Sequence, residues 1–474
     1  MKTLEWRVSH LLSGTGGEWL GGNPDHRFSG ISIDSRTLSS NALFFAVRGE
    51  RLDGHDYVGQ AIARGAGGVV LDKRKTEVLS IEPWIEKGVA CIAVSNTTQA
   101  LGDLARFHRR RSGCRIVAVT GSNGKTSTRA MAASVLERRF ATLATQGNLN
   151  NQFGLPLTLF RLIPEHQTAV LELGMNRPGE IGSLARICEP DLGVITNIAP
   201  AHLHGVGSLD GVMNAKGELL EEMPSGGTAV LNGDDPRCRE LARRWKGRVV
   251  LFGTASDCSF RAVSIEETES GISFVLRLPS EETAVRLSVP GRFMVWNALA
   301  AAAVGYEAGL NGAEIRAGLE AFRPVQGRMN LLNTRRSIHL IDDTYNANPE
   351  SMKAAIRSLK SLKGNRRGIL VAGDMLELGE EAPALHREVG TFAAGAKMAM
   401  LMASGNFAGF IREGALEGGM APDQVFLGSR NEIIAALKSS LLPGDWVLVK
   451  GSRGMAMETV LNAIKNWADQ PDGF

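Results

Sequence analysis

Short apolar runs recur along the chain, separated by longer stretches in which apolar residues return at helical spacing. Short runs bounded by Gly or polar residues predict buried strands, and the stretches between them predict helices. This alternation predicts an α/β fold with mainly parallel sheets, whose ligands bind at the C-terminal ends of the strands. The runs are residues 42–47, 68–71, 90–94, 115–120, 169–173, 192–197, 228–232, 337–341, 368–372, 398–403 and 446–449.

The length of the chain and the order of these runs predict three domains. A chain of 474 residues is long enough for about three domains, each with its own core. We expect an N-terminal α/β domain at 1–112, a central domain with a mainly parallel sheet at 113–323, and a third α/β domain at 324–474. The last boundary precedes Pro324 because the residue before a proline favours extended backbone.

Composition narrows the class of protein. The chain carries 53 Lys+Arg and 50 Asp+Glu, a net charge of +3, so we expect no nucleic-acid or membrane partner. Its five cysteines are scattered without a C-x-x-C pair, which is typical of a reducing compartment and argues against a disulfide framework or zinc site. The N-terminus lacks the apolar core of a signal peptide, and no apolar run approaches the ~18 residues that span a bilayer. The cytoplasm is the expected compartment.

The sequence RIVAVTGSNGKTS, which starts at Arg115, combines an apolar run, a glycine loop, one lysine and the start of a predicted helix. Backbone N–H groups at a helix start bind phosphate, Lys125 would contact the β and γ phosphates, and Thr126 offers a hydroxyl to Mg²⁺. The loop is shorter than the pattern G-x-x-x-x-G-K-S/T, because Val119 stands where that pattern has its first glycine. The alternative is a glycine turn with a solvated lysine. This stretch predicts a nucleoside triphosphate site.

Two residues of the central segment are candidates for holding a metal ion, and a lysine of the same segment is a third residue of interest. Glu172 lies at or near the end of a predicted strand, where a carboxylate suits Mg²⁺; the alternative is an ion pair with Arg177. His202 follows the run at 192–197, and the alternative is a packed or surface histidine. Lys216 lies on a predicted helix, where an ordinary exposed lysine is the alternative.

Further polar residues lie near the end of the central segment and near the start of the third. Asn297 is expected near a helix start, where its amide would cap the helix. Arg328 offers a fork of donors to phosphate, and Asp343 ends a predicted strand, where a carboxylate suits ribose or metal. Asn348 and Pro349 predict an N-cap followed by proline at the first helical position.

Several segments together resemble the Mur ligases of bacterial cell-wall synthesis, and the similarity runs over nearly the whole chain. The N-terminal stretch IDSRTLSSNALFFAVRGERLDGHDY resembles the UDP-substrate domain of that family. Residues 345–348 and 373–379 resemble the family member that performs the final addition to the peptide stem. The remaining matching segments are TGSNGKTS, LELGMNRPGEI, TNIAPAHL, AKGEL, PGRFMVWNALAAAA, the Gly327-Arg328 pair, DDTYNANP and GDMLELG.

The resemblance implies a fold and a reaction. It implies a UDP-substrate domain, a central ATP-binding domain and a C-terminal Rossmann-like ligase domain. It also implies ATP-dependent formation of an amide bond, in which D-alanyl-D-alanine is joined to UDP-N-acetylmuramoyl-tripeptide through an acyl phosphate. The expected state is a monomer that uses ATP and two Mg²⁺ ions.

The resemblance further implies roles for individual residues. Thr126 and Glu172 would hold the first Mg²⁺, and His202 would help to hold the second. Lys216 matches the family lysine that reacts with CO₂ to become a carbamate, which would also hold the second metal. The residues expected to act in catalysis are Lys125, Glu172, His202, Lys216 and Arg328.

ATP and substrate contacts follow by the same resemblance. The expected ATP-binding residues are Thr120, Gly121, Ser122, Asn123, Gly124, Lys125, Thr126, Asn297, Arg328, Asp343, Tyr345 and Asn346. The expected substrate-binding residues are Ser35 and Arg36 at the uridine diphosphate, Thr145, Asn148 and Asn151 at the muramoyl peptide, Asn348, and Lys450, Ser452 and Arg453 at a substrate carboxylate. The chain departs from the family pattern at His204, where the family often has glutamate.

Two other functions remain alternatives. A folylpolyglutamate synthase-like amide ligase has a similar glycine loop, but that loop lies close to its N-terminus, whereas more than a hundred residues precede Gly121 here. A GTP-binding switch would need an N-K-x-D element to read guanine, and no such element follows the apolar runs.

Overall fold

The computed structural model describes residues 5–269 and 271–470. Three α/β sheets follow one another along this part of the chain, and a separate pair of short strands lies near its start. The α/β class with mainly parallel sheets is therefore confirmed. Each of the three sheets lies within one of the three expected domains. The exact domain boundaries stay predictions.

The N-terminal sheet has five strands in the order β2-β7-β6-β5-β4, and a separate antiparallel pair joins β1 to β3. The strands are β1 Trp6–Arg7, β2 Glu18–Gly21, β3 Arg27–Phe28, β4 Ile31–Ser32, β5 Leu43–Phe45, β6 Gly68–Asp72 and β7 Ala90–Val94. The helices are α1 Val8–Thr15, α2 Val58–Ala63, α3 Lys73–Thr76, α4 Glu82–Glu86 and α5 Thr97–Ser112. Strands β4 to β7 are parallel, and only β2 runs the other way.

The central sheet has nine strands in the order β16-β15-β14-β13-β12-β11-β8-β10-β9. Its strands are β8 Arg115–Thr120, β9 Thr142–Ala144, β10 Thr168–Glu172, β11 Leu192–Ile195, β12 Thr228–Asn232, β13 Arg248–Gly253, β14 Phe260–Thr268, β15 Gly271–Arg277 and β16 Glu282–Leu287. Its helices are α6 Lys125–Leu136, α7 Gly154–Leu159, α8 Glu180–Cys188, α9 Leu203–Val206, α10 Leu209–Glu221, α11 Pro236–Arg244, α12 Met294–Glu307 and α13 Gly312–Ala321.

Strands β14 to β16 were not predicted, and they form an antiparallel extension of this sheet. Strand β14 alternates buried and partly exposed positions, so it contains no continuous apolar run. Antiparallel strands with one solvated face alternate apolar and polar residues, so they lack the continuous apolar runs that predicted the other strands.

The C-terminal sheet has six strands in the order β17-β18-β22-β19-β20-β21, all parallel except β17. The strands are β17 Asn330–Asn333, β18 His339–Asp343, β19 Gly368–Gly373, β20 Met400–Ser404, β21 Val425–Leu427 and β22 Trp446–Lys450. The helices are α14 Pro349–Lys363, α15 Ala382–Gly395, α16 Ala408–Glu417, α17 Arg430–Ser440 and α18 Glu458–Asp469.

One hydrophobic core joins the central and C-terminal sheets. Alanines of α12 are fully buried in this core, and Met352 of α14 belongs to the same cluster. Burying apolar surface across the junction stabilises one packing of the two sheets. Asn123, which follows β8, and Asp343, which ends β18, line the same cavity.

Among the residues that the structure describes, no helix has the length and apolar character needed to cross a bilayer. All five cysteines are buried free thiols.

Candidate active site

The glycine loop after β8 is held in place by the end of the neighbouring strand β11. The backbone N–H of Asn123 donates to Asn197 Oδ1 at 3.0 Å, and Thr196 Oγ1 donates to the carbonyl of Asn123 at 2.5 Å. Gly124 precedes α6 with a φ of 82°, so the first N–H groups of α6 face the loop. The sequence placed Thr196 and Asn197 at a strand end but gave them no role.

Gly121 is the residue of this loop for which a side chain is least tolerable. Its φ is 143°, and a Cβ atom would lie 1.9 Å from Thr196 Oγ1. We expect Gly121→Ala to lower the free energy of unfolding by about 1–3 kcal/mol, and to weaken binding of an ATP analogue because the loop must shift. Urea unfolding and calorimetric titration would measure the two effects.

The matched control is Gly59→Ala on α2, where a Cβ meets nothing within 4 Å. We expect this change to raise stability by no more than about 1 kcal/mol, because alanine is the better helix former. Wild-type stability and nucleotide affinity for Gly121→Ala would contradict the role given to the loop geometry.

Lys125 begins α6 and points back over the loop. Its Nζ donates to the carbonyl of Gly121 at 2.8 Å and lies 3.4 Å from that of Ser122. Burial lowers the pKa of this ammonium, an effect that Glu172 opposes and Arg328 reinforces. The side chain is partly buried and bonded to the loop, unlike the solvated lysine of the alternative reading.

Glu172 ends β10 beside β8 and is 3% exposed. Asn150 Nδ2 donates to its Oε1 at 2.9 Å, while Oε2 has no hydrogen-bond partner among the described residues. The nearest cation to Oε2 is Arg129, whose Nε lies 3.7 Å away, so the expected alternative pairing with Arg177 is wrong. Neither Asn150 nor Arg129 was predicted, although Asn150 lies between Asn148 and Asn151, which were expected at the substrate.

Lys216 lies on α10 and is 1% exposed, so the alternative of an exposed lysine is wrong. Burial lowers the pKa of its ammonium well below the usual range, and the nearby charge of Lys125 lowers it further. A buried amine with a lowered pKa is neutral for more of the time, which makes it a nucleophile.

His202 joins the central part of the molecule to the C-terminal part. Its φ is 55°, and its Nδ1 donates to Glu377 Oε2 at 2.6 Å. The hydrogen bond from His202 lowers the pKa of Glu377. The backbone N–H of His204 also lies 3.4 Å from the carbonyl of Glu377.

Asn348 makes a second bond across the same cleft. Its side chain caps α14 at Ser351, with Pro349 in the first turn, which confirms the predicted N-cap and proline. Its Nδ2 also donates to Asn123 Oδ1 of the glycine loop at 2.8 Å.

Three charged residues of the C-terminal part surround Tyr345 or its neighbours. The guanidinium carbon of Arg328 lies 4.1 Å from the centre of the Tyr345 ring, and that of Arg453 lies 6.0 Å away. Lys450 is 2% exposed; its Nζ donates to Asp343 Oδ2 at 2.5 Å and to the carbonyl of Asn346 at 2.8 Å. The expected contact of Lys450 with a substrate carboxylate would therefore compete with Asp343, and it stays a prediction.

Asn297 does not cap a helix. Helix α12 begins at Met294, and Phe293 stands at its N-cap without a side-chain bond. Asn297 is buried inside the first turn, where its Oδ1 accepts from Thr128 Oγ1 at 3.2 Å. The cap prediction was wrong because the helix starts three residues before Asn297. The amide instead lies beside Gly124, whose Cβ position would be 2.3 Å from Asn297 Oδ1.

Two cavities meet at the glycine loop and share Asn123, Gly124, Thr126, Arg328 and Ser351. The first, of about 320 Å³, is also lined by Ser127, Asn197, Ala199, Asn232, Phe293, Met294, Trp296, Asn297, Met329, Asp343, Glu350, Ala354, Arg357 and Lys450. The second, of about 190 Å³, is also lined by Ser122, Lys125, Ala201, His202, Asn346, Ala347, Asn348, Leu376, Glu377, Leu378, Ser452, Arg453 and Gly454.

The expected residues outside these cavities have local partners. Ser35 is buried and donates to Gln60 Oε1 at 2.7 Å, and Arg36 is exposed and donates to Asp34. Both residues follow β4 of the N-terminal sheet. The hydrogen bonds of Arg36 lower the pKa of Asp34 to about 2.

The residues expected to bind substrate in the loop at 145–151 differ in their surroundings: two form hydrogen bonds within the fold and one is exposed. Thr145 Oγ1 accepts the backbone N–H of Glu172 at 3.0 Å, and Asn151 Oδ1 accepts from Gly154 at 2.9 Å at the start of α7. Asn148 is exposed. Thr120, expected at ATP, instead donates to the carbonyl of Leu173 at 3.0 Å inside the sheet.

Comparison with known proteins covers all three parts of the chain. Family models described as "Mur ligase family, catalytic domain", "Mur ligase middle domain" and "Mur ligase, glutamate ligase domain" match residues 27–109, 119–305 and 327–453. The Escherichia coli (strain K12) UDP-N-acetylmuramoyl-tripeptide--D-alanyl-D-alanine ligase is 36% identical over 97% of this chain and 98% of its own length.

Solved structures agree with this assignment. The crystal structure of MurF from Acinetobacter baumannii superposes with a TM-score of 0.88 at 32% identity, covering 98% of this chain and 100% of that one. The MurF ligase of Thermotoga maritima in complex with ADP superposes with a TM-score of 0.81 at 26% identity, covering 92% of this chain and 97% of that one. The chain belongs to the Mur ligase family.

Proposed function

We propose that this chain is an ATP-dependent ligase that joins D-alanyl-D-alanine to UDP-N-acetylmuramoyl-tripeptide. The observation that carries the proposal is the pair of cavities that meet at one glycine loop, with Arg328 of the C-terminal part lining both. One cavity then suits a nucleoside and the other the reacting acyl group, on either side of the phosphates. The relatives named for this reaction match the chain over almost its full length.

ATP would bind with its adenosine in the larger cavity. The amide of Asn297 lies against the loop there, and Asp343 ends β18 on the other wall, which suits adenine and ribose respectively. The phosphates would follow the loop to the first N–H groups of α6, where the helix dipole favours negative charge. Lys125 and Arg328 would then neutralise the β and γ phosphates.

The residues present also fit Mg²⁺, because Glu172 Oε2 is buried without a hydrogen-bond donor. Thr126 and Glu172 would hold one ion, and His202 with a carbamate on Lys216 would hold the second. His202 gives its Nδ1 to Glu377, which leaves Nε2 as the ligand nitrogen and fixes the ring. When bound, Mg²⁺ would offset phosphate charge as the substrate carboxylate approaches.

The chain's own residues would position the two anions that must react. A carboxylate and a γ phosphate repel each other, so catalysis depends on positioning and on fixed positive charge. The hydrogen bonds that hold the glycine loop, and those that cross the cleft at Asn348 and His202, keep this charge in place before substrate arrives.

The compartment is part of the same proposal. Consumption of ATP and the presence of five free thiols both fit the cytoplasm.

Formation of ADP tests the function. With ATP, Mg²⁺, UDP-N-acetylmuramoyl-tripeptide and D-alanyl-D-alanine, we expect ADP release in step with a new amide-linked product seen by mass spectrometry. Omission of the dipeptide should stop product formation. Nucleotide hydrolysis that needs neither substrate, or a complete mixture that yields no new peptide bond, would contradict the proposal. Stems that end in meso-diaminopimelate and in lysine, tested side by side, would identify the third residue.

A further inference from the structure

Arg129 is a buried cation to which no step above assigns a role. It lies on α6 one turn beyond Lys125 and is 6% exposed. Its Nε has no acceptor among residues 5–269 and 271–470. A buried guanidinium without a full set of acceptors is costly, so such groups are usually matched by an anion.

The carboxylate that faces Arg129 does not satisfy it. Glu172 Oε2 lies 3.7 Å from Arg129 Nε, which is too far for a hydrogen bond, and both atoms lack partners. The other oxygen of Glu172 is already bonded to Asn150. The two charged groups are therefore close enough to attract, yet each keeps an open position.

The charges around Glu172 are mostly positive. Lys125 and Arg129 both interact with Glu172 and with Arg328, and Lys216 interacts with Lys125. Under the proposed function, the phosphates would pair with Lys125 and Arg328, and Mg²⁺ would bind Glu172. Arg129 would then be left as a buried cation with an unfilled donor, which calls for one more anion.

The position of Arg129 identifies that anion. Asn150 belongs to the loop at 145–151, which is expected at the muramoyl peptide, and it bonds Oε1 of the same carboxylate, whereas Arg129 faces Oε2. Under the proposed function, the peptide would extend from this loop past Glu172 to the second cavity, which meets α6 at Lys125 and Thr126. A planar guanidinium matches a carboxylate with two parallel N–H donors.

We propose that Arg129 binds the carboxylate of the muramoyl peptide during its attack on ATP, and then the acyl phosphate; this rests on the proposed function. A carboxylate oxygen forms a bond to the γ phosphorus, and the bond from that phosphorus to the β–γ bridging oxygen breaks. ADP leaves with the electron pair, and no proton moves. Arg129 stays protonated throughout and offsets the repulsion between the two anions.

Arg129→Met tests the inference in the full-length enzyme. With ATP, Mg²⁺ and the UDP-tripeptide but no dipeptide, the acyl phosphate is trapped by borohydride reduction. We expect the trapped yield to fall at least 100-fold and the KM for the UDP-tripeptide to rise at least 10-fold. The dissociation constant of a non-hydrolysable ATP analogue should stay within threefold, a separation that a general packing defect would not produce. Arg129→Lys keeps the charge and should recover at least 10-fold of the lost yield.

Arg139→Met serves as the matched control, since Arg139 pairs with Glu314 beyond the far end of the same helix. It should leave both the trapped yield and the KM unchanged. Wild-type trapping by Arg129→Met would overturn the inference, and so would a parallel loss of analogue binding, which would show that Arg129 only supports the loop. If the wild-type enzyme itself makes no product from both substrates, the proposed function fails instead.

Discussion

Replacement of Lys125 by alanine is expected to lower kcat about 10³-fold or more, because a fixed charge at the transferring phosphate is removed. Its Nζ rests on the carbonyl of Gly121, so it is held at the loop before nucleotide binds. Lys216, whose charge interacts with that of Lys125, is buried and expected to carry a carbamate, so it should not replace Lys125. Steady-state ADP formation with both substrates would measure the loss.

The control for this change is Lys246→Ala. Lys246 is an exposed lysine after α11, so the variant should keep wild-type turnover. Urea unfolding of Lys125→Ala should stay close to wild type, because its ammonium is only partly buried and bonds mainly to loop carbonyls. Near-normal turnover by Lys125→Ala would remove this residue from the phosphate site.

Replacement of Lys216 by alanine is expected to lower kcat about 10²-fold or more, with partial recovery on addition of formate or acetate. The physical reason is its 1% exposure and the lowered pKa of its amine, which make the neutral form available to attack CO₂. The neutral amine nitrogen forms a bond to the carbon of CO₂ and releases one proton, so a neutral group becomes an anion near the charge of Lys125.

Labelled bicarbonate should reveal the adduct by ¹³C resonance in the intact enzyme. Because the pKa of Lys216 is lowered, the adduct should persist at pH values where an exposed lysine is fully protonated, and be lost as the pH falls through that lowered pKa. Lys450 is the internal comparison: it is equally buried, but its ion pair with Asp343 favours the ammonium, so it should remain unlabelled. Absence of both the adduct and the chemical rescue would leave Lys216 without this role.

The glycine loop could be predicted from the order of residues along the chain. A buried strand, a tight turn and a helix start must follow each other directly, so Lys125 and Thr126 could be placed from the sequence. The N-cap at Asn348 was equally readable, because the cap and the following proline are neighbours in sequence.

Partners that meet only in the folded chain could not be predicted in this way. Glu172 bonds Asn150 and faces Arg129, 22 and 43 residues away, and nothing in its own segment favoured these over Arg177. The burial of Lys216 could not be predicted either, because a lysine in a helical pattern can lie on the buried or the exposed face of the helix. Asn297 shows the opposite error: its residue type favours a helix cap, but the helix begins three residues earlier, at Met294.

The bond between Asn348 and Asn123 brings the beginnings of two helices, α6 and α14, to the same cleft. Each helix carries partial positive charge at that end, so a triphosphate attracts the C-terminal part toward the central sheet from both directions. Transfer of the γ phosphoryl group and departure of the product reduce the negative charge between them. Under the proposed function, the cleft would then be held less tightly once chemistry is complete, which would link the release of products to turnover.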